Sequence, residues 1–158
     1  MALQKQVNID LAQGVAGDFA SQNAQFTLLA GKKAYRVGNA PVTIGRFAAA
    51  DTVTGLVAQA ITAGKAIGFV GRQSNQAVIT EWLGVASMAI PQGSQITLYS
   101  KGDFYVTSDD VAAYGNKVFA LNATGEVKFS ATTVADATDT GFTVVVGGAA
   151  GELVTITK

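Results

Sequence analysis

The side chains that usually carry enzyme chemistry are few in this sequence. It has 11 Asp and Glu residues but no Cys and no His. Without thiols or imidazoles, Cys-His and Ser-His triads, disulfides and nearly all zinc or transition-metal sites are excluded. Carboxylates remain, but glycoside hydrolysis needs two of them facing each other across a cleft, and the sequence gives no reason to pair any two. We therefore predict a protein that is not an enzyme and binds no cofactor or metal.

Two local motifs have the composition of ligand-binding loops but not their spacing. A phosphate-binding loop needs a glycine five residues before the glycine of its Gly-Lys pair. Gly31-Lys32 and Gly64-Lys65 have Phe26 and Gln59 at that distance. A calcium loop would need more acidic ligands at alternating positions than Asp109-Asp110 provides. We interpret all three motifs as turns.

The overall composition indicates one neutral domain. A chain of 158 residues is long enough to form its own core, and 11 basic residues balance the 11 acidic ones. Zero net charge gives no overall field that would attract nucleic acid or an anionic membrane. No apolar run approaches the ~18 residues of a membrane helix, and the first residues lack a signal sequence. We expect no nucleic-acid or membrane partner and synthesis in a cytoplasm.

The elements that would position any site are short strands. Residues 1–25 show neither helical nor strand periodicity and are predicted to form an extended N-terminal arm, which is either disordered or ordered along a neighbouring subunit. Residues 26–158 are predicted to form an all-β, jelly-roll-like sandwich or barrel of about ten short strands. The strand-like runs are 26–30, 41–47, 54–58, 66–70, 76–80, 94–100, 103–107, 116–121, 125–130, 141–146 and 151–157.

Turn signals and one ambiguous segment refine this prediction. Gly125 in "NATGE" suits a short hairpin loop, and "GGAAG" at 147–151 predicts a second, terminal hairpin. Alternation in 153–157 places Val154 and Ile156 on the face opposite the other three residues. Residues 50–64 could instead contain a short helix, because their apolar residues also fit one helical face.

Seven segments of the chain form a recognisable series. They are "GDFASQN" (17–23), "IGRFAAAD" (44–51), "GFVGR" (68–72), "ITEWLGVASMAIPQG" (79–93), "ITLYSKGDFYV" (96–106), "GNKVFALNATGEV" (115–127) and "TGFTVVVGGAAGELVTIT" (140–157). In this order they resemble the structural cement, or capsid decoration, proteins of tailed bacteriophages, from about residue 17 to residue 158.

The resemblance implies a structural virion protein made in the host bacterium. It would bind the outer surface of the mature head as a homodimer or homotrimer. There it would bridge neighbouring major capsid protein subunits and stabilise the shell against the pressure of packaged DNA. The resemblance supplies no catalytic residue. Phe19 and Trp82, in the first and fourth segments, are candidate structural or interface residues, and we expect the side chain of Trp82 to be shielded.

Arg46 is a further structural or interface candidate. Strand alternation would place Val42, Ile44 and Arg46 on one face. Such an arginine can lay its stem on apolar surface while its guanidinium binds a carboxylate. We predict a structural ion pair, with Asp51 as the nearest partner in sequence; direct contact with the capsid is the alternative.

Two other functions remain open from the residues. A phage fibre or lectin-like module could bind a host glycan by stacking sugars on Trp82 and on Tyr105 or Tyr114. A small β-fold hydrolase could use Glu81 and Asp103 as paired carboxylates.

Overall fold

The structure is a computed structural model that describes residues 14–31, 33–73 and 87–158. These residues form thirteen strands and no helix, which confirms the all-β prediction. The strands are β1 (Phe26–Thr27), β2 (Arg36–Val37), β3 (Val42–Thr43), β4 (Phe47–Ala50), β5 (Leu56–Ala58), β6 (Ala66–Val70), β7 (Ala89–Ile90), β8 (Leu98–Lys101), β9 (Asp103–Thr107), β10 (Lys117–Leu121), β11 (Val127–Ser130), β12 (Ala137–Val146) and β13 (Leu153–Thr157).

The possible helix within residues 50–64 is absent. A turn and β5 occupy this segment instead, because residues 56–58 pair with both β4 and β2. Tertiary pairing therefore overrides a helical pattern that was short and weak. The predicted strand at 76–80 lies outside the described residues.

The described strands form two main sheets and one small one. The six-stranded sheet has the order β1-β8-β6-β4-β5-β2, and the five-stranded sheet has the order β11-β10-β12-β13-β9. β3 and β7 form a separate antiparallel pair. The predicted β-sandwich is confirmed, with more and shorter strands than expected.

Aromatic rings fill the space between the two main sheets. The ring of Phe69 on β6 lies 4.6 Å from that of Phe104 on β9, and Phe47 on β4 lies 5.6 Å from Phe142 on β12. All four side chains are at most 2% exposed. Burial of such rings is worth roughly 1.5–3 kcal/mol each, so this cluster holds the sheets face to face.

β4 is buried on both faces, which explains its sequence "FAAA". Phe47 points into the core between the sheets. Ala48 and Ala50 belong to a second core, formed with the β3–β7 pair and the loops around it. Gly68 on the neighbouring β6 is equally crowded, since a Cβ there would lie 2.7 Å from the Cβ of Leu98. Small residues are needed where layers approach this closely.

Both predicted hairpins are present. β10 and β11 pair antiparallel across a loop in which Gly125 has a φ of 64°. β12 and β13 pair antiparallel across residues 147–152. In β13, Val154 and Ile156 are buried while the alternate residues are half-buried, as the sequence predicts.

Candidate functional site

Arg46 lies in a tight turn between β3 and β4, not within one strand. Gly45 has a φ of 80°, a conformation that favours glycine, and it breaks the predicted run 41–47 into two short strands. Because residues 44–46 form a turn, strand alternation does not continue through them. Arg46 therefore does not lie on the apolar face predicted to include Val42 and Ile44. Both of those side chains are buried, and Arg46 is half-buried.

The guanidinium of Arg46 pairs with Glu126 instead of Asp51. Its Nη2 lies 2.9 Å from Oε1 of Glu126, and the two side chains are 36% and 39% exposed. Glu126 precedes β11, so the ion pair links the turn before β4 to the β10–β11 hairpin of the opposite sheet. The prediction of Asp51 as the partner is wrong, because nearness along the chain did not bring the two side chains together.

Asp51 stabilises its own turn. One carboxylate oxygen accepts hydrogen bonds from the backbone N–H groups of Val53 at 2.9 Å and Thr54 at 3.1 Å. The bond from Thr54 and then the bond from Val53 lower the pKa of Asp51 below its ordinary value. This is the local capping that aspartate commonly provides in turns.

Gln59, directly after β5, links β3 to β4 beside the turn that carries Arg46. Its Oε1 accepts a hydrogen bond from the Thr43 N–H at 2.6 Å, and its Nε2 donates to the Phe47 carbonyl at 2.7 Å. The Phe47 N–H donates to the carbonyl of Gly125 at 2.9 Å. A Cβ on Gly125 would overlap the Phe47 carbonyl oxygen, so the hairpin glycine also permits this close contact.

A cleft of about 400 Å³ lies beside the turn that carries Arg46. Arg46, Glu126 and Lys128 line it together with Asp109. Lys128 pairs with Asp110 at 3.2 Å, so most charges at the cleft are already matched within the chain. The cleft is therefore a mixed-charge surface groove stabilised by its own ion pairs.

Phe19 is a structural residue of the sandwich. Its ring packs 5.3 Å from those of Tyr99 and Phe104, and it forms a bridge with Phe104. The neighbouring backbone pairs with β9, since the Gly17 N–H donates to Tyr105 O at 2.7 Å and the Ala20 N–H donates to Asp103 O at 2.9 Å. Residues 17–20 thus cover the β9 edge of their own domain, although they fall within the predicted arm.

Asp103 has a structural environment. Its carboxylate accepts hydrogen bonds from Ser21 and Thr157, each at 2.5 Å, and from Asn23 at 2.7 Å. Burial raises the pKa of Asp103, but these hydrogen bonds outweigh it and lower the pKa below its ordinary value. The group ties residues 21–23 to β13.

Only two of the remaining aromatic and acidic candidates, Tyr105 and Tyr114, lie within the described residues. Trp82 and Glu81 lie outside the described residues, so the shielding of Trp82 stays a prediction. Tyr105 is half-buried on β9, whereas Tyr114 is 82% exposed on the loop before β10.

Two exposed surfaces combine apolar side chains with charge, and neither was predicted from the sequence. We call the first the basic patch; it consists of Leu29, Lys33, Arg36, Val53 and Leu56. We call the second the acidic patch; it consists of Asp109, Val111, Tyr114, Val145, Val146 and Glu152. Every one of these side chains is exposed. The sequence feature that could have indicated these patches is the presence of apolar residues inside segments with turn composition, such as the Val and Tyr of "SDDVAAYGN".

The described part of the chain shows no group of three or more metal-ligating side chains. In the same ranges, the structure has no helix of the length and apolarity that a bilayer span requires.

The fold is that of a β-sandwich protein whose surface carries two exposed patches of mixed apolar and charged side chains. Residues 3–158 match the family described as XM1 gp53 minor capsid protein, and the chain belongs to that family. It is therefore a structural capsid protein of a bacteriophage, and the predicted relationship is confirmed. This membership points to a non-enzymatic role.

A solved structure has the same fold. It is a chain from "The capsid of Myoviridae Phage XM1", with a TM-score of 0.63 and 19% sequence identity. The similarity covers 99% of this chain and 97% of that one. No curated protein matches the sequence.

Proposed function

We propose that this protein is a cement protein, which binds the outer surface of the mature phage head and bridges neighbouring major capsid protein subunits. The observation that carries the proposal is family membership over residues 3–158. The exposed apolar side chains support it, because apolar clusters on a protein surface commonly mark contacts with other proteins. Zero net charge suits a site outside the shell, away from the genome.

The stabilising mechanism is linkage. A protein that binds the expanded shell but not the broken one stabilises the former, by about 2.7 kcal/mol for each site at a free concentration 100 times Kd. An oligomer that contacts several capsid subunits gains further affinity through effective concentration. Weak individual contacts are therefore sufficient to oppose the pressure of packaged DNA.

Capsid add-back tests this function directly. Heads of the parent phage, grown with a stop codon in this gene, would be heated with a DNA-binding dye, with and without the purified protein. We expect the protein to bind filled heads and to raise the temperature at which DNA is released. Absence of binding, or binding with an unchanged release temperature, would contradict the cement function.

We also propose that the N-terminal arm contributes to capsid binding by lying across a neighbouring subunit. Because residues 17–20 pair with their own β9, the test concerns residues 1–13 only. Deleting them should lower occupancy on heads and leave the melting temperature unchanged. A matched control replaces residues 2–13 with a Gly/Ser segment of equal length. Wild-type occupancy of the deletion would refute the role of the arm, and rescue by the control would show that only length matters.

A further inference from the structure

The basic patch is a continuous surface. Arg36 pairs with Leu56 in the parallel β2–β5 ladder, and Lys33, Arg36 and Leu56 line one depression of about 310 Å³. A Cβ at Gly31 would lie 3.2 Å from the Thr52 carbonyl oxygen, which brings Leu29 and Val53 to the same region. Leu29 is 89% exposed and Val53 is 87% exposed.

The acidic patch is also continuous. The Gly151 N–H donates to Ser108 O at 2.9 Å, which places Glu152 beside Asp109. Ala112 and Gly148 exchange two backbone hydrogen bonds of 3.0 and 3.1 Å, which brings the loop carrying Val111 and Tyr114 against the end of β12. Tyr114 is the kind of exposed aromatic residue that often contributes strongly to protein interfaces.

Within the described ranges, the charged side chains of the two patches have no salt-bridge partner. The four ion pairs found among the described residues involve none of Lys33, Arg36, Asp109 and Glu152. The patches also lie on different sheets, and no hydrogen bond joins them within the chain. Each patch therefore presents apolar side chains together with two charges of one sign. The two cations that line the cleft with Asp109 are already paired, Arg46 with Glu126 and Lys128 with Asp110.

We propose that the basic patch of one copy binds the acidic patch of a second copy, head to tail. This inference rests on the proposed function in one respect: it takes the contact to be the one that forms the cement oligomer. A two-fold contact through either patch alone would oppose like charges, which costs several kcal/mol in a close interface. A head-to-tail contact matches two cations with two carboxylates and covers the apolar side chains of both patches. Such contacts close into rings when the rotation between copies permits it.

Charge reversal followed by charge exchange tests the contact in solution, without capsids. We expect the wild type to self-associate in analytical ultracentrifugation or native mass spectrometry. K33E/R36E and D109K/E152K should each weaken association at least about tenfold. The variant carrying all four substitutions has the wild-type net charge and should regain association. K65E/K101E, which reverses two exposed cations outside both patches, should associate like the wild type.

Two further variants guard against misfolding. Glu152 also accepts a hydrogen bond from the Ala149 N–H at 2.8 Å, so D109K alone replaces the double variant if the melting temperature falls. Tyr114→Ala removes an apolar contact without changing charge and should also weaken association.

Several results would overturn the contact. They are a wild type that remains monomeric up to sub-millimolar concentration, a fourfold variant that fails to associate, and a control as disruptive as K33E/R36E. Unchanged self-association of K33E/R36E with lost binding to heads would assign the basic patch to the capsid instead. A monomer that still binds and stabilises heads would refute this contact and leave the proposed function intact.

Discussion

Removing the ion pair between Arg46 and Glu126 should have a small effect on stability. The atoms are 2.9 Å apart, but both side chains are more than a third exposed. Exposed pairs contribute about 0.2–1 kcal/mol. For a domain of this size, 1 kcal/mol shifts Tm by about 2–4 °C. We therefore expect Arg46→Ala to lower Tm by about 1–3 °C, since the stem of the arginine also loses packing.

A double-mutant cycle isolates the pair. Denaturant unfolding of wild type, Arg46→Ala, Glu126→Ala and the double variant should give a coupling energy of about 0.5 kcal/mol that decreases with added salt. Lys65→Ala, which removes an exposed cation outside any ion pair among the described residues, serves as the control.

The same variants decide between the two roles considered for Arg46. If the structural role is correct, Arg46→Ala binds heads as Lys65→Ala does. A coupling energy of zero together with lost binding to heads would show that Arg46 contacts the capsid. A coupling energy above about 2 kcal/mol would refute the reasoning from exposure.

Two other predictions concern the contacts that hold the sandwich. Gln59→Ala removes hydrogen bonds to two backbone groups and should lower the free energy of unfolding by about 2–4 kcal/mol, as measured with denaturant. The control is Gln92→Ala, at an exposed glutamine that makes no side-chain hydrogen bond in the described structure, and it should leave the free energy of unfolding almost unchanged. Equal effects of the two substitutions would contradict a structural role for the Gln59 hydrogen bonds. The pKa of Asp103 is lower in the folded than in the unfolded protein, so its contribution to stability is present above pH about 4 and is lost as pH falls through the folded pKa. The difference in Tm between wild type and Asp103→Asn should therefore shrink below pH about 4. A difference in Tm that stays constant with pH would contradict this role of Asp103.

Strands with a strong local pattern could be predicted from the sequence. β6 at 66–70 and β9 at 103–107 have the predicted bounds, because each is an unbroken run flanked by turn residues. Both hairpins were also predictable, since Gly125 and Gly151 supply the positive φ that their loops require.

Features that depend on distant pairing could not be predicted. β2 and β7 have two residues each and exist only because they pair with β5 and β3. No local pattern marks such a strand. The glycine at position 45 is evident from the sequence, but the turn that divides residues 41–47 into two strands depends on a distant contact. That contact is the backbone hydrogen bond from the Gly45 N–H to Val70 O. The ion pair of Arg46 with Glu126 likewise depends on contact between segments that are distant in sequence.

The distribution of charge carries information that the zero net charge hides. In the part of the chain that the structure describes, four ion pairs match opposite charges, while the basic and acidic patches keep their signs apart. Separated patches can orient a contact without an overall field. If copies associate through them, weakening that contact also lowers occupancy on heads, because an oligomer gains avidity that a monomer lacks. A loss of occupancy therefore identifies a capsid-facing residue only when self-association of the same variant is unchanged.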